Sequence, residues 1–230
     1  MTELILLAHG SPDPRSGEAI LEFAERIHRR LDLRINVAYL DHQRPSLADL
    51  AQQDPGEDVL VVPLLLSNAF HARFDVPKVM AESGFRHVMA PIGHPIKVLT
   101  ELIKTGGPNV IVVSAGNSNV AERRLFQDAV DLACLGSGTS ALSAFVSGSE
   151  LNIDAQLAVI AKSIKSIPTI IPWLLAPGRL LDSVIEQAEH SGARVEGSGL
   201  VKEPSFFEHI CTSIQKFLLS EFYPGLARVQ

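Results

Sequence analysis

Short runs of Val, Ile and Leu alternate along the chain with longer segments in which apolar residues recur at helical spacing, the pattern of strands and helices in a mostly parallel α/β sheet. The predicted strands are 4–8, 35–40, 59–65, 87–90, 110–114, 141–146, 169–174 and 193–197. The helices between them are predicted at about 17–31, 46–53, 76–83, 95–104, 119–134, 152–163, 179–191 and 204–219. In the first of these, Ile20, Phe23, Ala24, Ile27 and Leu31 fall on one face, and Glu18, Glu22, Arg26 and Arg30 fall on the other.

The order of elements repeats. Val61-Val62-Pro63-Leu64-Leu65-Leu66 returns as Ile170-Ile171-Pro172-Trp173-Leu174-Leu175, and Ala8-His9-Gly10 aligns with Ser114-Ala115-Gly116, each at the end of an apolar strand. Gly93-His94-Pro95 has a looser counterpart between Gly199 and Pro204. The chain is therefore expected to form two tandem flavodoxin-like halves, 1–106 and 107–230, each a four-stranded, mostly parallel sheet flanked by helices. The halves are chemically unequal: His9 stands opposite Ala115, Asp41 opposite Ser147 and His71 opposite Leu180. All three polar groups lie at carboxyl ends of predicted strands, the edge where open α/β sheets bind ligands, which assigns one active site to the first half.

Composition narrows the function. The chain has 230 residues, 46% of them hydrophobic, enough for a sizeable core. With 20 Lys+Arg against 26 Asp+Glu, a net charge of −6 and no basic run, it does not fit a nucleic-acid or anionic-membrane binder. The opening MTELILLAHG has no basic n-region and no apolar stretch approaches the ~20 residues of a membrane span, so a cytoplasmic protein is expected. Cys134 and Cys211 lie on helical apolar stripes and are read as buried free thiols.

Several chemistries lack their anchors. There is no G-x-x-x-x-G-K-[ST] phosphate loop, G-x-S-x-G elbow or H-E-x-x-H pair. The segment 136–141 matches G-x-G-x-x-[GA] formally, but a helix precedes it and a strand follows, so it is read as a loop. In the segment from Ser67 to Asp75, Asp75 is expected to cap the helix that begins at Val76-Pro77, with His71 and Arg73 in the loop. His42, beside Asp41, is close enough in sequence to join the site, and His94 is expected to cap or line a βα loop.

Leu6-Leu7-Ala8-His9-Gly10-Ser11, Tyr39-Leu40-Asp41 followed by Pro45-Ser46-Leu47, and Val62-Pro63-Leu64-Leu65-Leu66 leading to His71 and Asp75-Val76-Pro77 resemble the motifs of the ATP-independent sirohydrochlorin chelatases (CbiX/SirB-like). The second half resembles the catalytically silent half of the two-domain members. This resemblance implies insertion of a divalent metal, Fe2+ favoured and Co2+ possible, into sirohydrochlorin, with no permanently bound cofactor. His9 and His71 match the family's metal-binding histidines, and Asp41 stands where the family often carries a glutamate. A neutral imidazole suits either proton acceptance or holding a borderline cation. A polycarboxylate substrate would be met by Ser11 and the forked donors of Arg15, Arg44 and Arg73, with Phe70, Phe74 and Trp173 as cleft walls. A cobaltochelatase of cobalamin biosynthesis and a non-catalytic tetrapyrrole or metal carrier remain as alternatives, and a monomer is expected.

Overall fold

A computed structural model describes residues 3–53, 59–67, 74–147, 152–163 and 167–222. In chain order its elements are β1 (Glu3–Ala8), α1 (Pro14–Leu31), β2 (Arg34–Tyr39), α2 (Leu47–Gln53), β3 (Val59–Pro63), α3 (Val76–Ser83), β4 (His87–Val88) and α4 (Ile96–Thr105). They continue with β5 (Val110–Ser114), α5 (Val120–Ser137), β6 (Ala141–Phe145), α6 (Ile153–Ser163), β7 (Thr169–Trp173), α7 (Arg179–His190), β8 (Arg194–Val195) and α8 (Pro204–Glu221). The strands form two four-stranded sheets, ordered β2-β1-β3-β4 and β6-β5-β7-β8. Every pairing is parallel. Among the described residues no helix is long and apolar enough to cross a membrane.

Side-chain alternation in these strands builds three apolar layers. Leu4, Leu6 and Ala8 of β1 point into a central core, while Ile5 and Leu7 point into an outer one with Leu47 of α2 and Val76 and Met80 of α3. In the second sheet Val110 and Val112 enter the same central core, and Ile111 and Val113 enter an outer layer with α6 and α7. Burial on both faces explains why the strands read as continuous apolar runs. The central layer is shared: α1 and α4 from the first sheet meet α5 and α8 from the second, with α4 against α5 and α1 against α8. Phe23 packs on Phe206 and Phe207, and the Arg26 guanidinium lies 4.4 Å from the Phe207 ring centre while donating to the Val201 carbonyl at 2.8 Å.

The repeat extends to the backbone. Leu40 and Asp41 N–H groups donate to the carbonyls of Ala8 and His9, and Val146 and Ser147 donate in the same way to Ser114 and Ala115. Gly10 and Gly116 have φ of +91° and +82°, and a Cβ at either would collide with the carbonyl oxygen of Asp41 or Ser147. Only glycine meets both conditions, so each strand end is drawn tightly onto its neighbour. Asp13 and Asn119 then cap α1 and α5, each accepting from the N–H two residues on.

Several local expectations change, among them the shortening of β4 and β8 to two residues each. Helix α1 starts at Pro14, ahead of the apolar stripe, because Asp13 caps it and proline suits its first turn. Gly136 and Ser137 belong to the last turn of α5, which ends at left-handed Gly138. Asp75 occupies the N-cap position of α3 with αR backbone and makes no side-chain cap bond. Cys134 and Cys211 are free thiols, Cys211 buried and Cys134 partly so.

His94 belongs to the interface between the sheets. Its Nδ1 accepts from Trp173 Nε1–H at 3.0 Å, and its ring stands edge-on to Phe126 at 5.1 Å. Burial pushes its imidazole down to about 4. Because the unfolded chain binds a proton near pH 6.5 and the folded one does not, His94 favours folding fully above that value. The benefit is lost as pH falls toward the folded value, roughly 3 kcal/mol over the window. Burial together with Lys216 and Lys97 lowers His209 as well, which adds in the same sense. Urea melts between about pH 7 and pH 4.5 are expected to show this decline, and His94→Gln, which keeps an acceptor for Trp173 but does not titrate, is expected to flatten it.

Candidate active site

In each sheet the chain leaves the first strand to one side and returns on the other, so the carboxyl ends of β1 and β3, and of β5 and β7, are the points where ligand crevices open. Both open into one cavity of about 550 Å³, within the range of small-molecule sites. The first half contributes His9, Ser11, Tyr39 and His42, and the second contributes Ala115, Asn117, Trp173 and Arg179. Trp173 is fully buried and joins the cavity to the central core.

His9 follows β1 directly. Its carbonyl is held by the Asp41 N–H at 2.8 Å and its Nδ1–H donates to the Gly10 carbonyl at 3.2 Å, which places the neutral ring's lone pair on Nε2. Ser11 lines the cavity with its N–H on Gln43 Oε1 and its hydroxyl accepting from the Asp13 N–H. Burial raises the Tyr39 phenol, so it stays a neutral hydrogen-bonding group on the wall.

Arg15 joins the two halves just outside the cavity lining. Its Nε and Nη2 donate to Asp13 at 3.1 and 2.6 Å, and its Nη1 and Nη2 donate to Asp182 of α7 at 3.1 and 2.5 Å. This guanidinium holds both carboxyls below their usual range, and the two carboxylates raise Arg15 in turn. The pairs are solvent-screened, so their importance is geometric: they tie the start of α1 to the start of α7.

The sequence-predicted residues divide into three groups. His9 and Ser11 meet in the cavity with Trp173. Arg15, Asp41, Arg44 and Phe74 lie outside its lining: Arg15 is engaged by Asp13 and Asp182, Asp41 is 66% exposed beside His42, Arg44 is engaged by Asp49 at 2.6 Å and Ser46 at 3.2 Å, and Phe74 is exposed. Phe70, His71 and Arg73 lie outside the described residues. Among the described residues no three His, Cys, Asp or Glu side chains come together as a metal centre.

Arg179 was not anticipated. It is the one Arg or Lys on the cavity wall among the described residues, and its charge helps lower Asp13. The signal was present in the repeat, since Arg179 immediately precedes Leu180, the counterpart of His71.

Residues 3–104 match the CbiX family model. The whole chain is 22% identical, over 255 aligned positions and 88% of the relative's length, to a sirohydrochlorin ferrochelatase of Priestia megaterium. SirB from Bacillus subtilis, solved with Fe3+, superposes with a TM-score of 0.80 at 19% identity, covering 96% of this chain and 98% of that one. A cobalt complex of the sirohydrochlorin chelatase SirB from Bacillus subtilis subspecies spizizenii gives 0.74 at 17% identity, covering 94% and 95%. At these identities the two solved structures establish a common fold.

Proposed function

We propose that the chain, whose residues 3–104 match the CbiX model and whose whole length aligns with a sirohydrochlorin ferrochelatase, is a sirohydrochlorin chelatase that inserts a divalent metal, Fe2+ in preference to Co2+, into sirohydrochlorin without ATP. The observation that carries this is a cavity shared by both halves in which His9 faces an apolar wall from the second half. Residues 1–106 act as the catalytic half and 107–230 as the half that completes the cleft, in a cytoplasmic monomer.

Insertion exchanges two pyrrolic protons for one M2+, so the site must accept protons and release a cation. His9, with its Nε2 lone pair, suits both tasks near neutral pH. Nitrogen and oxygen ligands serve Fe2+ and Co2+ alike, and a sparse ligand set lets the ion leave. Leu66, Leu175 and Leu180 offer an accessible apolar surface for the macrocycle, backed by the buried Trp173. Arg179 meets a substrate carboxylate by a charge-assisted fork, while Arg15 stays engaged with Asp13 and Asp182.

Purified protein is expected to accelerate insertion of Fe2+ or Co2+ into sirohydrochlorin, followed by the change in its absorption, and His9→Ala is expected to return the rate to the uncatalysed background. A wild-type rate equal to background contradicts the proposal. For Arg179→Ala the expected result is a KM for sirohydrochlorin raised about tenfold with kcat little changed, the loss of one charge-assisted hydrogen bond.

A further inference from the structure

His42 lines the cavity and Asp41, its neighbour, does not. The His42 backbone sits at φ +63°, a left-handed conformation that costs a side-chain-bearing residue roughly 1–2 kcal/mol. Local bonds hold it there: Asp41 Oδ1 accepts the His42 N–H at 2.7 Å, the Gln43 N–H donates to the Asp41 carbonyl at 2.7 Å, and Gln43 Oε1 accepts from Ser11. This turn directs the imidazole to the cavity side and leaves the carboxylate outside.

There the His42 ring faces His9, with centroids 6.1 Å apart and planes inclined by 39°. A metal–nitrogen bond of about 2.1 Å plus the ring radius puts each imidazole centre about 3.2 Å from a shared ion, so two rings can serve one metal at separations up to about 6.4 Å. The observed pair falls within that reach. On its other side, His42 Nε2 lies 3.7 Å from Asp41 Oδ2. That separation is longer than a hydrogen bond, but the carboxylate's charge there favours the proton on Nε2 and the lone pair on Nδ1, and a small approach would form the bond by which carboxylates orient metal-binding histidines. In the second half Ala115 and Ser147 replace His9 and Asp41, so the arrangement occurs once.

We propose that His42 is a second imidazole for the incoming divalent metal, paired with His9, and that Asp41 acts through His42 as a positioning carboxylate rather than as a ligand. This deepens the chelatase reading and rests on it for the fate of the ion, while binding of the ion is measurable without substrate.

The test is titration with Co2+ alone, read by its visible d–d absorption. Asparagine tolerates the left-handed conformation, so His42→Asn preserves the turn. It is expected to weaken Co2+ binding about tenfold or more and to shift the cobalt bands, whereas Asp41→Asn weakens binding with the band positions kept. Binding of metal-free sirohydrochlorin is expected to survive in both. A His42→Asn titration indistinguishable from wild type overturns the proposal, even if insertion activity is present. If His42→Asn loses Co2+ but the wild type inserts no metal, the pair stands and the chelatase reading falls.

Discussion

The fold depends on the apolar layer trapped between the two sheets. Each sheet could bury its outer face alone, under α2 and α3 or under α6 and α7. The inner faces share one continuous core, to which α1, α4, α5 and α8 all contribute. Separating the halves would expose Phe23, Phe126, Phe206 and Trp173 together, each fully buried and each representing several kcal/mol of packing. That layer fixes how the two rows of strand ends face each other. The cavity above it inherits its shape from Trp173, whose indole N–H is satisfied by His94 of the other half.

On this nearly symmetric frame the chemistry is asymmetric. Gly10 and Gly116 make the same close approach, and Asp13 and Asn119 make the same cap, because backbone geometry constrains both copies. The side chains at the strand ends face no such constraint. One copy carries His9 and His42, and the other presents Ala115 and Arg179 to the same cavity. Duplication thus supplies a wall and a cation opposite a nitrogen-bearing site, and the Arg15–Asp182 tie joins the rims.

Much of this was legible in the sequence, for a physical reason: strands buried on both faces give unbroken apolar runs, and β5 lies where those runs place it, from Val110 to Ser114. The last strand of each sheet, β4 and β8, is shorter than its composition suggests. Four residues from His87 have the composition of a strand, but ladder pairing with β3 reaches only to Val88. The repeat identified His9 and the unequal halves. It did not reveal that Arg15 would be forked between Asp13 and Asp182, because Asp182 is distant in sequence and meets it only once the central layer has formed. Nor did residue type distinguish Asp41 from His42. The left-handed turn at His42, a property of the backbone, decides which of the two enters the cavity.

In the chelatase proposed here, metal handling belongs to one side of a shared cleft. Anomalous scattering from crystals soaked in Co2+ tests it most directly. A single strong cobalt peak is expected in the cavity, bonded to His9, with none at the equivalent point beside Ala115. A principal peak outside the cleft, or one held by the second half, would contradict it.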